Sequence, residues 1–89
     1  MKKPYLEVTF RGGRAIAGYL YLGERAGQKS YRCKRVEPGL VVDFNRRGFP
    51  IGIEITAPGK ITLASLNAAL RALGAPPIRK DDLAPLLAA

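Results

Sequence analysis

The period of the hydrophobic pattern changes once along this chain, and that change dictates its fold class. From Tyr5 to Arg11, Leu6, Val8 and Phe10 alternate with Tyr5, Glu7, Thr9 and Arg11, the two-residue repeat of a strand with one buried face. Gly12-Gly13 supplies the positive φ angles of a tight hairpin. A second strand is expected over Arg14–Leu22, with apolar or aromatic residues on both faces, as suits a central position. A third, over Lys29–Val36, is charged on both sides and reads as an edge strand. Leu40–Asn45 and Phe49–Thr56 form the clearest hairpin. Leu40, Val42 and Phe44 would share a face with Ile51, Ile53 and Ile55. Keeping both sets on one face requires an even number of loop residues. Arg47-Gly48 or Asn45–Gly48 would satisfy that condition.

Beyond Ala57-Pro58-Gly59 the repeat lengthens. Thr62 reads as a helix N-cap, followed by Leu63, Leu66, Leu70 and Leu73 at helical spacing and by Gly74 as a stop. Asp81 or Asp82 can cap a last short helix carrying Leu83, Leu86 and Leu87. The expected architecture is α+β: an antiparallel four- or five-stranded meander sheet with one helix packed on a face and a short C-terminal helix. Residues 1–89 make one domain, with the sheet over about 4–56, the helix over about 62–73 and a tail over 76–89. Phe44, Ile51, Ile53, Ile55, Leu66 and Leu70 are expected to share the core.

A chain of this size buries only about 60–65% of the surface exposed when unfolded. Cys33 is the only cysteine, so no disulfide can form within the chain. That usage fits a reducing compartment. The first residues have no apolar run like that of a signal peptide, and no stretch is long enough to span a membrane. A cytoplasmic protein is expected.

The chemistry-bearing residues are few. There is no histidine, which removes the usual general base and the commonest transition-metal ligand. No cofactor or metal is expected. Basic residues number 15 against 7 acidic, a net charge of +8, which makes acidic partners plausible. Lys29, Tyr31, Arg32, Lys34 and Arg35 form a basic-aromatic segment. With Tyr19 and Tyr21 on the neighbouring strand, Tyr31 could stack bases while the cations meet phosphates. Asp43 and Glu54 fall on the same outward face of adjacent strands and could form a polar site. Leu83, Leu86 and Leu87 could present an apolar interface to a protein partner.

The run from Val41 to Ile55, containing Asp43-Phe44, the turn ending at Gly48 and Gly52-Ile53-Glu54-Ile55, resembles the signature of a family of small bacterial and archaeal proteins, domain of unknown function 2283. Tyr19-Leu20-Tyr21-Leu22 resembles that family's upstream strand. The resemblance covers about residues 10–59. Two positions depart from the pattern: Gly18 stands where the family has an aspartate, and Arg46 and Arg47 replace acidic turn residues. The resemblance implies no established activity, and it implies an antitoxin-like or adaptor role beside a small neighbouring protein.

The reading that follows is a non-enzymatic binding module acting by protein–protein contact, with itself or with a small neighbouring protein. The alternative is a single-stranded nucleic-acid or RNA binder using residues 29–35. An enzyme or cation site at Asp43 and Glu54 comes third. A homodimer is also expected, through edge-strand pairing or exchange of the C-terminal tail, because small folds gain buried surface by pairing.

Overall fold

The computed structural model describes residues 4–87; residues 1–3 and 88–89, which end the expected tail, lie outside the described residues. Five strands form one antiparallel sheet: β1 (Tyr5–Arg11), β2 (Arg14–Tyr21), β3 (Arg32–Glu37), β4 (Leu40–Phe44) and β5 (Pro50–Ile55). Two helices follow, α1 (Leu63–Ala72) and α2 (Lys80–Leu87). The α+β class is the one the hydrophobic periods imply.

The strand order is not a meander. β5 inserts between β2 and β4, giving β1-β2-β5-β4-β3. β3, β4 and β5 are joined by hairpins, while the β2–β3 connection carries the chain to the far edge. Burial explains the order. β2, β4 and β5 hold the buried Leu20, Leu40, Val42, Ile53 and Ile55, whereas every residue of β3 is exposed. A meander would place β3 in the middle and put Arg32, Lys34 and Arg35 into the packed centre, at a desolvation cost no neighbour offsets.

Gly12 and Gly13 close the first hairpin at φ 57° and 77°. The second hairpin departs from the parity argument. Asn45 N–H donates to Phe49 O at 2.9 Å and Gly48 N–H to Asn45 O at 3.0 Å. The loop is therefore the odd set Arg46, Arg47 and Gly48. A bulge restores the register: Phe44 faces Pro50 and Asp43 faces Gly52, so Ile51 has no counterpart.

Both helices pack on one face. Leu20, Leu40, Val42, Ile53 and Ile55 meet Leu66 and Leu70 of α1 and Leu83 and Leu86 of α2 in a single cluster. Phe44 packs against that cluster, and Ile51 is buried outside it. Thr62 caps α1 as expected, and Ser65 completes a reciprocal capping box: the Thr62 side chain accepts from Ser65 N–H at 3.0 Å and Ser65 Oγ from Thr62 N–H at 2.9 Å. Asp82 does not sit at the cap position; from inside the first turn of α2 it accepts from Arg79 N–H at 3.0 Å. Asn67 fastens the tail to α1, accepting from Ile78 N–H at 2.9 Å and donating to Ile78 O at 3.1 Å.

That docking corrects the expected interface on Leu83, Leu86 and Leu87. Leu83 is 0% and Leu86 2% exposed, so both complete this chain's own core; the side chain of Leu87 lies outside the described residues. Gly18 makes room for α2, because a Cβ there would stand 2.9 Å from Leu86 Cδ1. No helix among the described residues is long and apolar enough to cross a membrane.

Candidate functional site

Antiparallel order gathers particular residues at one end of the sheet. β1, β3 and β5 begin there, and β2 and β4 finish there. The connection over 22–31 and the turn over 45–49 therefore lie side by side. Tyr31, Arg32, Asn45, Arg46, Arg47 and Gly48 line a notch of about 210 Å³. That volume falls below the usual range of about 300–1,000 Å³ for small-molecule pockets, so the notch is a surface feature and not a cleft.

Asn45 organises this corner. Its Oδ1 accepts from the backbone N–H groups of Arg47 and Phe49, each at 3.0 Å, and its Nδ2 donates to Gln28 Oε1 at 2.8 Å. One side chain thus shapes the turn that presents Arg46 and Arg47 and ties it to the loop before β3. Tyr31 N–H donates to Phe44 O at 2.8 Å, which holds its backbone while the side chain stays 68% exposed. The Arg32 guanidinium lies over the Phe44 ring at 5.6 Å. On the other side of the turn, Arg25 stacks on Phe49 at 4.2 Å. This pair borders a second recess of about 320 Å³, walled by Leu22, Pro50, Leu73 and Pro76.

The predicted nucleic-acid contacts Lys29, Tyr31, Arg32, Lys34 and Arg35 are all exposed, but they do not form one row. Strand pleating splits them. Arg32 and Lys34 oppose Phe44 and Val42, on the helix side of the sheet, while Arg35, with Cys33, opposes Val41 and Asp43 on the other side. The expected platform with Tyr19 and Tyr21 is corrected too. β5 and β4 separate β2 from β3, because β3 took the edge. Sequence reasoning missed Asn45, Arg46, Arg47, Arg25 and Phe49 as members of this end. The signal for the turn was present: an Asn three residues before a turn glycine can bond its own backbone two residues on.

The face opposite the helices carries Asp43 and Glu54. Asp43 faces Gly52 and Glu54 faces Val41, so the two carboxylates are diagonal neighbours. Tyr19 reaches across β5 to donate its hydroxyl to Asp43 Oδ2 at 2.8 Å, and Asp43 is 8% exposed. Gly52 permits this, because a Cβ there would overlap the Tyr19 ring. Burial, then the bond to Asp43, raise the Tyr19 phenol well above its ordinary 10.0. Tyr21 donates to Glu7 Oε1 at 3.1 Å, and that bond raises its phenol as well. The rings tile this face: Tyr5 stacks on Tyr21 at 4.5 Å, and Tyr21 meets Tyr19 at 4.7 Å. Among the described residues no group of three His, Cys, Asp or Glu side chains could hold a metal ion.

No family model, curated protein or solved structure matches this chain.

Proposed function

We infer that this protein is a non-enzymatic binding module for single-stranded nucleic acid, acting through the end of the sheet where Tyr31, Arg32, Arg46 and Arg47 surround one notch. The observation that carries this reading is that an exposed tyrosine and three arginines line one notch beside a turn braced by Asn45. Tyr31 would stack a base, which every base permits because each has a π-face. Arg46 and Arg47 would meet phosphate oxygens, with Lys29 and Lys34 adding charge along the exposed edge. Arg25 on Phe49 offers a second flat cationic surface at the same end.

Fluorescence anisotropy with labelled poly-U and poly-dT, against a duplex control, tests this. Contact with three to five phosphates gives a log–log salt slope of about −2 to −3.5 on single strands. Replacing Arg46 and Arg47 together by Glu should abolish binding, and Tyr31→Ala should weaken it by about 1–3 kcal/mol. Absence of any anisotropy change at low salt up to roughly 100 μM, the weak end of non-specific binding, would overturn the reading. A second reading, protein contact in an antitoxin-like or adaptor role, is favoured by the uncovered tyrosine face of the sheet.

A further inference from the structure

Two ladder rows cross the open face without a break. One runs Tyr5–Tyr21–Gly52–Asp43–Cys33, and the other Glu7–Tyr19–Glu54–Val41–Arg35. Each has one residue from every strand, and β5 is the middle strand of five. In the second row a carboxylate stands at one end and a guanidinium at the other, both exposed and both two strands from β5. The row is therefore charge-complementary to its own reversed copy. Apart from Glu54 at its centre, the surface between these ends is largely aromatic and apolar, with Tyr5 54% exposed, and two of its three tyrosine hydroxyls are already held by Glu7 and Asp43. Such a surface has little side-chain freedom left to lose on association.

We propose that a second copy of this chain packs on this face, related by a two-fold axis that lies parallel to the strands and passes over β5. Rotation by 180° about that axis carries β1 onto the side of β3 and preserves height along the strands. Glu7 of each copy then meets Arg35 of the other, twice per dimer. Tyr19 meets Val41, Tyr21 meets Asp43 and Tyr5 meets Cys33. Two uncovered sheet faces packed in this way form a sandwich about 10 Å thick. Five strands about 4.8 Å apart and about seven residues long, at about 3.4 Å each, present roughly 550 Å² per copy. The total of roughly 1,100 Å² is near the lower bound of specific interfaces, which makes the dimer a weak one.

One group opposes this arrangement. Glu54, on the central strand, meets Glu54 of the second copy near the axis, and like charges so placed cost affinity. The proposal therefore predicts opposite signs for two carboxylates on one face: Glu7 supports the dimer and Glu54 weakens it.

Sedimentation velocity on the full chain, without nucleic acid, reads this directly, with thermal melts confirming that each variant folds. Wild type should self-associate, and Glu54→Gln should tighten association by tenfold or more. Glu7→Arg and Arg35→Glu should each weaken it by about tenfold, and combining the two should restore it to within about threefold of wild type. Restoration is the decisive result, since a merely structural role for Glu7 or Arg35 would make the double variant worse. Wild type and Glu54→Gln both remaining monomeric at roughly 1 mM would overturn the proposal. A dimer indifferent to the charge swaps, which would indicate edge pairing or tail exchange, would overturn it equally.

Discussion

Gly52→Ala tests whether the tyrosine lying across β5 is a working part of the fold. Gly52 sits mid-strand at an ordinary strand φ, where glycine would normally be a liability of about 0.5–1 kcal/mol relative to alanine. On propensity alone, alanine should stabilise the protein by that amount. The structure predicts the reverse, because the added Cβ would overlap the Tyr19 ring. The ring must swing away, and its 2.8 Å bond to the carboxylate of Asp43 breaks. Bonds to charged groups contribute about 1.5–3 kcal/mol. Setting the backbone gain against that loss leaves a net destabilisation of about 1–2 kcal/mol. For a domain of this length each kcal/mol lowers the melting temperature by about 4–8 °C. Urea denaturation of wild type, Gly52→Ala, Tyr19→Ala and the double variant closes the cycle. With Tyr19 already absent, only the backbone gain remains, so Gly52→Ala should then stabilise by about 0.5–1 kcal/mol. If Gly52→Ala destabilises by the same amount in both backgrounds, Tyr19 is not the reason for the glycine.

Other perturbations follow from the same contacts. Ile53→Ala, at a fully buried central position, should cost about 2–4 kcal/mol in urea denaturation. Thr62→Ala removes half of the capping box of α1 and should cost about 1 kcal/mol. Deleting everything after Ala75 takes Ile78, Leu83 and Leu86 out of the core, so circular dichroism should show no cooperative melt. The raised Tyr19 phenol links stability to alkaline pH. Below 10.0 both states hold the proton, so its contribution is fully present; above 10.0 the unfolded chain ionises first, and the contribution is lost as pH climbs toward the folded value. Stability of wild type should therefore fall more steeply above pH 10.0 than that of Tyr19→Phe.

The hydrophobic pattern revealed four or five strands and two helices because alternation and helical spacing are local properties. What it could not reveal was which strands neighbour one another. β3 was legible as an edge strand from its charges, yet a meander would have placed it beside β2. The pattern holds no term for the competition among strands for the centre, which Leu20, Val42 and Ile53 decided by burying fully. The odd loop of Arg46–Gly48 escaped for a related reason. Parity fixes the sum of loop and bulge residues, and the sequence offers no separate mark for the bulge at Ile51. Among site residues, Asp43 and Glu54 were placed on one face correctly, but Tyr19, which hydrogen-bonds Asp43, lies 24 residues before it in the chain. The glycine that admits it looked like a weak point in a strand.

Strand pleating also explains how one short basic edge could serve two surfaces. Alternate residues of β3 point to opposite sides, so Arg32 and Lys34 stand on the helix side and Arg35 on the open face. The first pair can join Tyr31, Arg46 and Arg47 at the sheet's end, while Arg35 remains free to meet a carboxylate across a sheet-to-sheet contact. A two-fold axis parallel to the strands leaves strand direction unchanged. It would therefore bring the Tyr31 notches of both copies to the same end of the dimer, one on each flank. The two proposals are separable by mutation, because no residue is required by both. They are compatible in geometry, because the dimer would double the number of basic notches facing one nucleic-acid strand. Reversing Arg35 should then leave the binding of a short oligonucleotide to a single notch unchanged. It should weaken the binding of an oligonucleotide long enough to span both notches, since linked sites gain from effective concentration.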